Sequence, residues 1–443
     1  MLKKNNKNTK KPTLHEMLIE AKKCLQCKNP PCIKGCPIEV NIPMFIKYFL
    51  ESNLQKAIKI IKQKNNFPTI SGIVCPQEKQ CEKFCILNKK NNNNMSVSIG
   101  NLEYYIASST TIIEPHLIKN NKKNIKIAII GSGPAGLTCT YDLLKVGYDV
   151  TVYESLHSIG GVLRYGIPEF RLPKKILERE INNLKKLGMN IVLNTFIGRT
   201  KSLQELFDDG YKSIFIATGA GLPVLPKISG ENLNHIYSSN EFLVRINLMH
   251  SYKFPNYDTP IYKGKNVVVI GGGNTAIDSS RTILRSGVNN VKLIYRKSEN
   301  EMSARKEGIF HAKHEGVEFI TLTELVKFIG DENGNVKAIE CVKNKIIMSI
   351  NSNEKQFKKI VGSNHIIKTD MVILALGLHP NPTISLLSKK INTDSLGYVI
   401  IDDNFMTSIS GVFAGGDIVG GSTVIEAMGM AKKAAKAIVK FIC

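Results

Sequence analysis

A chain of 443 residues is long for one domain and comfortable for two or three, and 43% hydrophobic with 22% charged residues leaves room for ordinary cores. The net charge of +23 sits largely in asparagine–lysine tracts: NNKNTKK near the start, NKKNNNN at 88–94, KNNKKNIK at 119–126 and NSNEKQFKK at 351–359. These hold almost no aromatic rings and no helical stripe of cations, so they read as solvated loops and argue against a nucleic-acid-binding protein. No apolar run approaches the ~18 residues of a membrane span, and MLKKNNKNTKK has no apolar stretch behind its lysines, so no membrane association is expected and the protein should be soluble and cytoplasmic, with its thiols reduced.

Residues 1–110 hold seven of the ten cysteines between short amphipathic helices, such as MFIKYFLESNLQKAIKII at 44–61. CLQCKNPPCIKGCP (24–37) has the spacing C-x2-C-x4-C-x3-C-P, close to the bacterial ferredoxin run, in which the cysteine before proline serves the other cluster. That spacing places Cys24, Cys27 and Cys32 on one [4Fe–4S] cluster and Cys36 on a second. CPQEKQCEKFC then offers Cys75, Cys81 and Cys85 as three further ligands. Structural zinc is the rival, but seven thiols do not divide into four-thiolate sites and no second C-x2-C pair is present. Two clusters need eight ligands, so one is not a cysteine unless a distant thiol folds back; Cys139, Cys341 and Cys443 read as packing or surface residues.

The tract around 111–124 reads as a linker. From Ile125 the texture changes to alternating strands and helices. In IKIAIIGSGPAG a strand runs into Gly131, Gly133, Pro134, Ala135 and Gly136 and opens a helix, the arrangement that seats a pyrophosphate on backbone amides. Glu154 ends the next strand, where an acid accepts ribose hydroxyls and repels a 2′-phosphate, so this unit fits FAD or NAD. The pattern recurs at KNVVVIGGGNTA, with Gly271, Gly272, Gly273, Asn274, Thr275 and Ala276 at the turn. Here Arg296 and Lys297 follow the second strand, with Arg305 a turn further on; cations in place of the acid favour NADP. The last 75 residues return to strand and loop (MVILALG, YVIID, GVFAGGD) and finish in a helix, STVIEAMGMAKKAAKAIVKFI.

Taken in order, CLQCKNPPCIKGCP, CPQEKQCEKFC, GSGPAG, GGVLRYGIPEFRLP, GGGNTAID, YRKSENEMSARKE and VFAGGDIVGGSTVIEAMG resemble the small (beta) subunit family of NADPH-dependent glutamate synthase. The module also resembles the large subunit of NADH-dependent ferredoxin:NADP oxidoreductase and the amino-terminal part of dihydropyrimidine dehydrogenase. The resemblance implies an α/β fold with two Rossmann-like dinucleotide-binding domains, the FAD domain interrupted by the NADPH domain, preceded by an α-helical domain with two [4Fe–4S] clusters. Its segments are 1–110 (iron–sulfur), 111–219 (FAD, first part), 220–370 (NADPH) and 371–443 (FAD, second part). It implies one cluster on Cys24, Cys27, Cys32 and Cys85, and another on Cys36, Cys75, Cys81 and Glu103. It further implies Gly161 and Arg171 at the flavin, Gly416 and Asp417 at the ribityl-phosphate part of FAD, and Thr423 and Val424 at the isoalloxazine. The expected activity is oxidation of NADPH through FAD and the clusters to a partner, either a glutamate synthase large subunit or another redox protein such as ferredoxin. No acid–base catalytic residue is needed, because the cofactors carry the chemistry. A different class, a non-catalytic iron–sulfur redox sensor or scaffold, would hold FAD without turnover.

Overall fold

Two five-stranded parallel sheets, each carrying a glycine turn after its central strand, organise the carboxyl-terminal three quarters of the chain. The structure, a computed structural model, describes residues 12–90, 96–110, 123–348, 355–381 and 384–443. Most of the linker expected around 111–124, and parts of all four asparagine–lysine tracts, lie outside the described residues. The chain divides into two compact units: Gly221–Leu378 with the short stretch Tyr165–Pro168, and the remainder.

The larger unit begins with helices. Thr13 and Glu16 form a reciprocal capping box that starts Leu14–Lys22. The stretch expected to be helical over 44–61 forms two helices, Ile42–Leu50 and Leu54–Lys62. The break falls where the Asn53 side chain accepts from the Lys56 N–H at 3.0 Å, capping the second helix. Pro68–Val74 packs on Ile99–Ser109, which contributes Ile99, Gly100 and Glu103 to a cavity lined by cysteines.

The sheet of this unit runs Val412–Ala414, Tyr211–Ile216, Lys126–Ile130, Asp149–Tyr153, Asn190–Val192, with every neighbouring pair parallel. Its outermost strand comes from beyond residue 378 and its other four from before residue 217, so the smaller unit is an insertion within this domain. Of the expected late strands, MVILALG and GVFAGGD form Met371–Leu374 and Val412–Ala414. YVIID does not form a strand; Val399 makes only an isolated bridge to Thr393. The terminal helix Val424–Ile442 is capped by Thr423, whose hydroxyl accepts from the Glu426 N–H at 3.3 Å.

Buried polar contacts fasten the helical segment to this sheet domain. Asn66 donates to Asp142 at 2.9 Å, and Lys432 donates to the Asn66 side-chain Oδ1 at 2.9 Å and to the Asp142 carboxylate at 2.9 and 3.1 Å. Thr69 donates to the buried Glu180 at 2.8 Å.

The smaller unit has the sheet order Ile236–Ser238, Met371–Leu374, Asn266–Ile270, Asn290–Tyr295, Glu318–Thr321. Apolar clusters cover both faces, one around Val267, Val269 and Leu293, the other around Val268, Ile294 and Phe328. A second, antiparallel sheet joins Thr323–Gly330, Val336–Met348, Lys355–Lys359 and His365–Lys368. Residues 355–359 therefore form a strand, where the tract 351–359 was expected to be a solvated loop.

Candidate redox sites

The first glycine turn shows why its glycines are needed. A Cβ on Gly131 (φ +100°) would stand 2.4 Å from the Ala217 carbonyl oxygen, and one on Gly136 would stand 1.9 Å from the Gly131 carbonyl oxygen. The turn lies at the carboxyl ends of the paired strands Lys126–Ile130 and Tyr211–Ile216, where the strand order of the sheet reverses, the place at which open α/β sheets bind ligands. Gly133 differs: nothing lies within 4 Å of the place its Cβ would take. That gap, over the start of helix Pro134–Val146, suits close approach of a phosphate to backbone amides. Gly161 comes against this turn, since its Cβ would stand 2.7 Å from the Gly133 Cα, and a Cβ on Gly416 would meet Ala135 at 3.0 Å. Three segments far apart in sequence thus converge on one cradle.

Glu154 is 5% exposed at the end of its strand. It accepts from the Ser132 N–H at 3.0 Å and hydroxyl at 2.5 Å, and from the Leu156 N–H at 2.9 Å. The carboxylate is thereby fixed beside the turn, and Ser132, which also accepts from the Gly160 N–H at 2.9 Å, is a positioning residue that the motif alone did not single out. Asp417 is largely buried, and that burial, with Glu426 nearby, raises its carboxyl to about 6. Arg171 is half-buried, and Thr423 and Val424 start the last helix.

The second turn repeats the first. A Cβ on Gly271 (φ +145°) would lie 2.3 Å from the Ala375 carbonyl oxygen, and one on Gly272 would strike the Tyr295 ring. Asn274 caps the neighbouring loop: its Oδ1 accepts from the Arg305 N–H at 2.9 Å, while the Ala304 N–H donates to Gly272 O at 3.0 Å. Arg305 is thus held against the glycine turn, its guanidinium 3.1 Å from Glu307. Arg296 is exposed and Lys297 half-buried at the end of their strand, Thr275 is exposed, and Ala276 is buried at the third fingerprint position.

The cysteines form two groups. Cys24, Cys27, Cys32 and Cys85 line one space; Cys36, Cys75, Cys81 and Glu103 line a second. Ile42 and Ile99 belong to the walls of both. Burial, and then the neighbouring Cys24 and Cys85, push the Cys32 thiol up to about 12. Burial likewise raises Cys36 and Cys81, with Glu103 among the charges that bear on each. Thiols set this way ionise together only against compensating cationic charge, which a metal centre supplies. Among the described residues no three such side chains converge on a single-ion position. Each group offers four donors, three or four of them thiols, the number a cubane cluster takes. The donor sets suit clusters.

Glu103 stands on helix Ile99–Ser109 and accepts from Asn65 Nδ2 at 2.9 Å and the Ser71 hydroxyl at 3.2 Å. Burial outweighs those bonds and pushes its carboxyl up to about 7. Asn65, 1% exposed, escaped the sequence reading because an Asn–Asn pair in an asparagine-rich chain carries no distinguishing signal. Ile425, beside Val424, also lines the second space. Cys139 and Cys341 are buried away from these groups, and Cys443 is exposed.

Comparison with known proteins agrees with this geometry. Residues 125–436 match the pyridine nucleotide-disulphide oxidoreductase family, and residues 2–113 match dihydropyrimidine dehydrogenase domain II, 4Fe-4S cluster. The chain is 33% identical to the glutamate synthase (NADPH) small chain of Escherichia coli (strain K12), over 96% of its own length and 91% of that protein's. It belongs to the glutamate synthase small-chain family of pyridine nucleotide-disulphide oxidoreductases. The NADPH-Fe(3+) oxidoreductase subunit beta of Geobacter sulfurreducens is 32% identical over 93% of this chain and 63% of that one. Mycobacterium tuberculosis FprA, solved in complex with NADPH, shares the fold, with a TM-score of 0.60 and 18% identity over 72% of this chain and 85% of that one. This member of the small-chain family is an NADPH-dependent flavin oxidoreductase with a 4Fe–4S domain. No helix among its described residues is long and apolar enough to cross a membrane.

Proposed function

We propose that this protein is the electron-input subunit of a glutamate synthase, oxidising NADPH and delivering the electrons to a large synthase subunit. The observation that carries the reading is the sequence of shared walls. Ile425, next to the residues expected at the isoalloxazine, lines the second cysteine space, and Ile42 and Ile99 join that space to the first. When bound, NADPH supplies a hydride, FAD takes the electron pair, and two [4Fe–4S] clusters carry electrons singly.

The chain's own residues bind, orient and insulate. Gly133 and its neighbours offer amides to the FAD pyrophosphate, and Glu154 accepts from the adenosine ribose. Arg296 and Lys297 present cations to the 2′-phosphate of NADPH, with Arg305 at the turn. Cys24, Cys27, Cys32 and Cys85 hold one cluster; Cys36, Cys75, Cys81 and Glu103 hold the other, with Asn65 and Ser71 orienting the carboxylate. The isoleucine walls exclude water, which together with ligand type sets the cluster potentials.

The test is reconstitution under argon with a glutamate synthase large chain. Complex formation and glutamine-dependent NADPH oxidation are expected. NADPH-driven ferredoxin reduction with no complex would overturn the synthase reading in favour of a ferredoxin:NADP oxidoreductase, and no flavin reduction by NADPH would favour a scaffold.

A further inference from the structure

A lysine-rich strand pair of the smaller unit, Val336–Met348 with Lys355–Lys359, touches the cation pair directly at two points and reaches it through Leu322 at a third. Val336–Met348 pairs with Lys355–Lys359 from Asn344↔Lys359 to Met348↔Lys355. At its root Asn344, 4% exposed, donates through Nδ2 to the Arg296 carbonyl at 2.8 Å and to Glu324 at 3.2 Å. The Asn344 N–H donates to Leu322 O at 2.7 Å, and the Leu322 N–H donates to Lys297 O at 3.0 Å. Both carbonyls of the cation pair are thus tied to the root of the strand pair. On the returning strand, the centre of the Phe357 ring lies 5.7 Å from the Lys297 ammonium. Lys355 pairs with Glu301 at 3.0 Å, and the other oxygen of Glu301 accepts from the Ser298 hydroxyl.

Charge gives these contacts a direction. Three acids surround the strand end, and each has a lysine: Glu299 with Lys313 at 2.6 Å, Glu301 with Lys355 at 3.0 Å, Glu324 with Lys359 at 3.1 Å. Two of the three lysines belong to the strand pair. An unpaired carboxylate beside a phosphate site repels a dianionic ligand over a Debye length of about 8 Å. The same carboxylate is nearly indifferent to a cofactor that carries a hydroxyl in that place.

We propose that the paired strands Val336–Met348 and Lys355–Lys359 are a specificity element for the 2′-phosphate of NADPH. Asn344 and Phe357 position Arg296 and Lys297, and Lys355 neutralises Glu301 beside them. This rests on the reading of Arg296 and Lys297 as the 2′-phosphate cations.

The experiment compares steady-state KM for NADPH and for NADH in the holoenzyme, with an artificial electron acceptor. Lys355→Ala and Phe357→Leu each raise KM for NADPH by about two- to fivefold, the range of one exposed ion pair or cation–π contact, and leave KM for NADH and both kcat values in place. Glu301→Gln in the Lys355→Ala background restores the NADPH value, and Phe357→Tyr retains it. FAD content checks folding in every variant. If both KM values rise together, or neither moves, while Arg296→Glu still lowers the preference for NADPH, the strand pair is only structural and the proposal fails alone. If Arg296→Glu also leaves the preference unchanged, the cation-pair reading fails and takes the proposal with it.

Discussion

Ile425 and Cys36 line the same cavity, although they come from opposite ends of the chain. The last helix therefore begins near the first glycine turn, where a Cβ on Gly416 would meet both Ala135 and Ala427, and forms a wall of a cysteine site within its first turn. Replacing Ile425 by Gln would admit water to that wall. A more polar surrounding stabilises the more negative, reduced form of a cluster, so its potential should rise by tens of millivolts while flavin reduction by NADPH is unaffected. Redox titration followed by electron paramagnetic resonance measures this; an unchanged potential would remove Ile425 from the cluster's environment.

Glu103 provides the second prediction. If it is the eighth ligand, Glu103→Ala leaves one iron of its cluster open to solvent, so iron and acid-labile sulfide per FAD should fall towards about half as that cluster is lost during purification. Asn65→Ala removes one of the two donors to the carboxylate and should give a smaller loss. Full iron content in Glu103→Ala would mean that the carboxylate is a bystander.

Gly136 tests the FAD cradle. A methyl group there would stand 1.9 Å from the Gly131 carbonyl oxygen, so Gly136→Ala must distort the turn. Overpacking of this kind costs about 1–3 kcal/mol, which weakens FAD binding by roughly five- to 150-fold where it falls on the bound state. Flavin absorbance of the purified variant, followed by titration with added FAD, measures the effect.

The Lys432–Asp142–Asn66 network predicts a stability change. The ion pair is mostly shielded from solvent, and Lys432→Met strands the Asp142 carboxylate. Breaking a fully buried pair costs 3–5 kcal/mol; the residual exposure here reduces that to about 2 kcal/mol. Denaturant unfolding should show it, accompanied by faster proteolysis of the helical segment.

Glu315 adds a pH dependence in the smaller unit. Burial alone would raise its carboxyl, but hydrogen bonds from Arg285 and Arg281 outweigh burial and hold it below the ordinary carboxylate range. A depressed folded pKa means that the stabilisation is complete above the unfolded value of about 4.3 and is lost as pH falls through the folded one. Glu315→Gln should therefore cost about 3 kcal/mol at pH 7, with the difference from wild type shrinking below pH 4. Equal unfolding midpoints at pH 7 would show that the two arginines find other partners.

Features that act through backbone geometry were legible in the sequence. The glycines at 131, 136 and 271 are required by carbonyls that any strand–turn–helix of this type brings close, and cysteine spacing reflects the reach of thiolates around one centre. Features that arise when distant segments meet left no local pattern. Asn65, Asn66, Ser132, Lys432 and Ile425 became functional neighbours only through tertiary packing. Composition misled at 355–359, where one phenylalanine among lysines and a glutamine gives no clear alternation, yet the segment pairs with a long strand that supplies the missing partner. At YVIID the apolar run instead lies between two turns, with Val399 buried but making only an isolated bridge.

The most direct test of electron exit through the cysteine sites is rapid mixing of NADPH with the complex of this protein and a glutamate synthase large chain, comparing wild type with Cys75→Ser. Flavin bleaching at the wild-type rate, with glutamine-dependent turnover abolished, is the predicted result and also shows that the variant is folded. Turnover persisting in the variant would contradict the account, because electrons would then leave the flavin without the second cysteine site.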